Sequence, residues 1–131
     1  MADLDYAFVA DSARIEGGTL SVLGASYTHA SVNESAGLWV TSIAGRVRTT
    51  VDAEPVQMEI AITAPDAAYE LVQTATLEPG SGARPYDNGK IGILFASSVA
   101  LPIVGTGLFE IRIRLDGQEV RRLAFDLSVD A

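Results

Sequence analysis

The segment "LFEIRIRLDGQEVRRLAFDLSV", residues 108–129, decides how this chain folds. Phe109, Ile111, Ile113 and Leu115 alternate with Glu110, Arg112 and Arg114; past the turn, Leu123, Phe125, Leu127 and Val129 alternate with Arg122, Asp126 and Ser128. Successive side chains of a strand point to opposite faces, so each run describes a strand buried on one side and wetted on the other. Asp116-Gly117 lies between the runs. It is a strong hairpin signal, because a type I′ turn needs positive φ at both central positions. The segment reads as two antiparallel strands.

The same signature extends outward. In "PVQMEIAIT", residues 55–63, Val56, Met58, Ile60 and Ile62 share one face. Gly17-Gly18 joins "YAFVAD" to "TLSVLG", and Pro65-Asp66 favours a turn. No window carries helical periodicity. The chain is expected to place strands near 4–11, 19–25, 27–32, 38–50, 55–64, 69–77, 91–100, 107–115 and 119–129. Eight or nine short strands must close on themselves or stack. The expected fold is therefore all-β: one domain over 1–131, a two-sheet antiparallel β-sandwich of immunoglobulin-like or jelly-roll-like type. "YAFVA" and "IGILFA" are apolar on both parities, as expected of central strands or of strands whose outer face is covered by a loop or a partner subunit. Gly45 is expected to mark a bulge or bend where its strand changes partner. Asp11-Ser12 reads as a side-chain-to-backbone cap closing the first strand.

Composition narrows the chemistry. The chain has 131 residues, no cysteine, one histidine and a net charge of −8. Absence of thiols excludes disulfides, thiolate metal sites and a cysteine nucleophile. The acidic field opposes phosphate backbones and anionic lipids, so neither nucleic acid nor membrane is expected as a partner. Acidic residues near the amino terminus and the short apolar stretch there are unlike a secretory signal, and the expected setting is cytoplasmic.

Catalytic motifs fail one by one. His29 would have to serve any Ser-His-Asp triad, yet neither Gly24-Ala25-Ser26 nor Gly80-Ser81-Gly82 fits the nucleophile-elbow pattern. Asp66, Asp87-Asn88-Gly89 and Asp116 lack calcium-loop spacing and sit where turns place aspartates. The run ending at Lys90 continues with Ile91 rather than Ser or Thr, unlike a phosphate loop. No cofactor, metal or catalytic residue is expected.

Two candidate binding features remain. Arg46 and Arg48 share one strand face, and Arg112 and Arg114 another, with Arg121-Arg122 across the hairpin. On neighbouring strands they would form a basic stripe able to grip partner carboxylates. The competing reading pairs them across strands with Glu59, Glu110 and Glu119. The second feature is "EPGSGARPYDNGK", residues 78–90, a long loop presenting Arg84, Tyr86, Asp87 and Asn88 to a sugar or calcium ion.

The opening "DYAFVAD", the Gly17-Gly18 turn and the following Leu20-x-Val22-x-Gly24 strand resemble a family of short bacterial proteins, mainly actinobacterial, that carries no assigned activity. The tail from Gly107 through the Asp116-Gly117 turn to Phe125 is similar as well. The resemblance implies a β-sandwich and no particular site. The leading expectation is a non-catalytic module for protein interaction or self-assembly. Ligand binding through the 78–90 loop is the alternative, and a hydrolase built on paired carboxylates a remote one.

Overall fold

The structure, a computed structural model, describes residues 2–80 and 83–131. Ser81 and Gly82, which belong to both the 78–90 loop and the Gly80-Ser81-Gly82 motif, lie outside the described residues. The chain forms strands β1 (Asp3–Glu16), β2 (Thr19–Ala25), β3 (His29–Asn33), β4 (Leu38–Thr50), β5 (Val56–Thr63), β6 (Glu70–Leu77), β7 (Lys90–Pro102), β8 (Gly107–Leu115) and β9 (Gln118–Asp130). They build two sheets, ordered β2-β1-β4-β7 and β3-β9-β8-β5-β6. Between them lies one apolar core, as the alternating runs require. Ile60, Ile62, Phe109, Ile111, Ile113, Phe125 and Leu127 are all buried within it. Phe109 and Phe125 stand opposite each other in the β8–β9 register and stack with ring centroids 5.3 Å apart.

The turns follow their chemistry. Gly17, Gly18, Asp116 and Gly117 all have positive φ, and Asp116 accepts the Gln57 backbone N–H at 2.9 Å. One pairing departs from the antiparallel expectation: β3 runs parallel to β9. The chain leaves the first sheet after Ala25 and crosses to the second through Ser26–Thr28, which delivers β3 in the direction of β9. Tyr27 anchors the crossing. Its ring meets Phe125 edge-on at 5.3 Å, its hydroxyl is hydrogen-bonded with Thr41, and Trp39 Nε1 donates to it at 3.3 Å. Burial raises the Tyr27 pKa above its ordinary value, so the phenol stays protonated.

Three local expectations need correction. Asp11 does not cap a strand end, because β1 continues to Glu16; the carboxylate instead lies over Gly24, where a Cβ would meet Oδ2 at 2.1 Å. Gly45 does not mark a change of partner, since β4 keeps β1 and β7 on its two sides. The bulge is on β1, between Leu4 and Tyr6, and Gly45 is needed for close approach to the Tyr6 carbonyl. "IGILFA" is not central: it begins an edge strand, whereas "YAFVA" pairs with β4 along its length and meets β2 only at Ala10.

β1 pairs with β4 only as far as Ala10. Beyond that point the β1–β2 hairpin crosses the outer side of the sheet, and its tip reaches β7. There Ile15 and Gly18 share a surface with Gly92, Ile93 and Leu94. The chain thus supplies part of the cover that its doubly apolar strands call for. Among the described residues no helix is long and apolar enough to cross a membrane.

The Gly45 contact gives a direct test. A Cβ there would lie 2.2 Å from the Tyr6 carbonyl oxygen and 2.8 Å from the Phe95 ring. Gly45→Ala is expected to cost roughly 1–3 kcal/mol through overpacking, measured by urea unfolding. A change below a few tenths would contradict the close approach.

Candidate functional site

The four arginines do not form one stripe. Arg46 and Arg48 alternate with buried Val47 on β4, and Arg112 and Arg114 alternate with buried Ile113 on β8, in the other sheet. Each pair therefore faces solvent on an opposite side of the sandwich. The expectation of a continuous basic surface fails because β4 and β8 are never neighbours.

On the β8 side, charges pair along β8 and across to its neighbours. Arg112 reaches Glu110 at 3.0 Å and Glu119 at 3.3 Å, Arg114 reaches Glu59 at 3.0 Å, and Arg122 reaches Glu110 at 3.0 Å. The hydrogen bond from Arg122 is the main cause of a Glu110 pKa held below its ordinary value, with Arg112 adding to it. This is a solvated ionic lattice, where each exposed pair is worth little.

On the β4 side the two sequence candidates merge. Tyr86, from the 78–90 loop, lies beneath both guanidinium groups, 5.6 Å from Arg46 and 5.5 Å from Arg48. Arg46 also stacks over Tyr6 at 5.1 Å and hydrogen-bonds Asp5, the first cause of its raised pKa. Arg48 pairs with Asp87 at 3.0 Å. Asp87, Asn88 and Gly89 all have positive φ and return the chain to Lys90, which bridges Tyr86. Gly92 leaves room for the Arg46 stem, since a Cβ there would come within 2.9 Å of Cδ. The cluster holds the 84–90 turn against the sheet, its cations facing tyrosines and carboxylates of the same chain. Arg84 and Asn88 are exposed, and neither side chain makes a hydrogen bond among the described residues.

His29 is exposed at the start of β3, with Nε2 3.4 Å from Ser128 Oγ. No carboxylate bonds its ring among the described residues, so the pair lacks the third member that orients a catalytic imidazole.

Sequence reading missed a third region. β6 and β7 are edge strands of different sheets, and an apolar cleft of about 290 Å³ opens between them. Met58, Ile60, Leu77 and Phe95 form its floor, Ile15 stands at its rim, and Ser97 donates to Gln73 across it at 2.8 Å. From Leu71 to Leu77 β6 carries no charge, proline or glycine. Such an edge offers unpaired backbone N–H and C=O groups to another strand. The uncharged run was visible in the sequence; its position at an edge depends on sheet order, which no local pattern encodes.

No family model and no curated protein matches this chain. Among solved structures, it is similar to Pseudomonas fluorescens alkylpurine DNA glycosylase AlkC bound to DNA containing an abasic site analog. The identity is 13%, the TM-score 0.47, and the match covers 75% of this chain and 27% of that one. This chain thus spans about a quarter of that protein's length.

Two outcomes test the charge assignments. Tyr86→Ala removes two exposed cation–π contacts and is expected to lower stability by about 1 kcal/mol and to speed amide exchange over residues 84–90. Unchanged exchange there would show that the ring does not hold the turn. In an NMR titration Glu110 is expected to ionise below its ordinary 4.5. A depressed carboxyl stabilises the fold above its unfolded value, and that contribution disappears as pH falls through the folded one. Arg122→Gln should shift the Glu110 midpoint upward; an unmoved midpoint would contradict the assignment.

Proposed function

We propose that this chain is a non-catalytic protein-interaction module that takes an extended segment of a partner along β6. The observation that carries the reading is an edge strand, uncharged from Leu71 to Leu77, beside an apolar cleft. In strand addition, backbone hydrogen bonds supply affinity and pockets for alternate side chains supply specificity. Both ingredients meet here. The cytoplasmic setting and kinship with the actinobacterial family belong to the same reading.

Ligand capture by the 78–90 loop is the weaker reading. Tyr86 and Asp87, two of its four candidate side chains, already engage Arg46 and Arg48. The remote hydrolase reading has no specific carboxylate pair behind it. The lone histidine stands with a serine and no orienting carboxylate.

Random short peptides selected on the immobilised protein provide the test. A benzophenone side chain at Val72 or Thr76 of β6 is expected to crosslink to the selected peptides, whereas one at Glu119 is not. Equal crosslinking at all three positions, or no selectable peptide, would contradict strand addition.

A further inference from the structure

The charges around β6 specify what kind of strand the edge accepts, an inference that rests on the strand-addition reading above. Glu70 opens β6 and Glu78 follows its last residue; both are exposed. Neither forms a salt bridge among the described residues, and Glu70 is engaged only by the Thr63 hydroxyl at 3.4 Å. The strand between them is uncharged. Over eight residues an extended strand spans about 26 Å, so each end of the docking edge carries its own uncompensated carboxylate.

This arrangement selects against one occupant and for another. A second copy pairing antiparallel about Thr74 would set Glu70 of each chain against Glu78 of the other. Like charges directly opposed across strands are destabilising, and each copy also carries a net charge of −8. A foreign strand with Lys or Arg at both ends meets the opposite situation. Because both ends of β6 are acidic, the match holds whichever way the incoming strand runs.

The cleft adds a second requirement. Its 290 Å³ is about twice the ~150 Å³ that accommodates a benzene molecule. It lies beside the middle of β6, where Gln73 and Ala75 form part of its wall. We propose that β6 binds an extended segment with an apolar, aromatic-sized side chain at its centre and basic residues about eight positions apart at its ends.

The experiment uses the full chain and three synthetic peptides with one Phe-centred, β-branched sequence and Lys, Gln or Glu at the two flanking positions. Binding is read by fluorescence anisotropy. The Lys-flanked peptide should bind about tenfold tighter than the Gln-flanked one, as two exposed ion pairs allow, and the Glu-flanked peptide should bind weakest. High salt should compress the difference, and Glu70→Gln combined with Glu78→Gln should remove it. Ala75→Phe, which fills the cleft from an exposed position, should weaken all three peptides. Equal binding of the three peptides overturns the charge inference and leaves strand addition standing. Failure of every peptide overturns strand addition itself. Full affinity in Ala75→Phe overturns the role of the cleft, and a wild-type dimer crosslinked through β6 would overturn the choice of a foreign strand.

Discussion

Two open sheets stacked face to face leave four strands with one unpaired row of backbone hydrogen-bonding groups, and this constraint organises the molecule. The edge strands are β2 and β7 in one sheet and β3 and β6 in the other. An exposed edge is a template for other chains, so each must be shortened, interrupted, covered or used. β3 is only five residues long. β2 carries Gly24 in the left-handed region one residue before its end, and Ser26, just past it, also has a φ of 64°. β7 begins at Lys90, ends at Pro102 and is overhung by the hairpin tip around Ile15. β6 is neither short nor broken by proline or glycine, and what approaches it is Ile15 at the cleft rim and Ser97, which donates to Gln73. This edge, set beside three more strongly managed ones, is what the proposal of a partner strand rests on.

The route of the amino-terminal hairpin follows from packing. A strand apolar on both faces needs two covers, and the core supplies only one. β1 therefore divides its length. Its first half pairs with β4, where Val9 is buried in the core; its second half pairs with β2 and passes over the outside. Leu20 and Val22 are half-buried without joining the central core, as expected of a hairpin lying on an outer face. The Tyr27 anchor fixes where the chain turns from this cover into the second sheet. The same residue thus links the hairpin, the parallel β3–β9 pair and the Phe109–Phe125 stack.

Much of this was legible in the residues, because strand periodicity and turn chemistry are local. The runs through Ile60, Ile111 and Phe125 bury the faces that alternation assigned to them, and eight of the nine placed strands match within two residues, the first running five residues past its expected end. What local patterns could not supply was adjacency. Arg46 and Arg112 look alike in sequence, each on the wet parity of a strand, and they end on opposite sides of the sandwich. Arg48 and Tyr86 look unrelated and meet at 5.5 Å. Asp11 resembled a cap because the apolar run stops there, yet the strand continues on hydrogen bonds that need no apolar side chain. The cleft was invisible for the same reason. It is made by two strands whose edges meet only after both sheets are assembled.

The central claim is that β6 is an unpaired edge which a partner strand completes. Residue-resolved amide hydrogen exchange along Leu71–Leu77, in the free monomer and with a Phe-centred peptide bound, measures this most directly. Alternate amides of β6 should exchange rapidly in the free protein, while those bonded to β5 remain protected. Binding should then protect the exposed set selectively. Uniform protection of β6 in the free monomer, or an exchange pattern that a bound peptide leaves unchanged, would contradict the account.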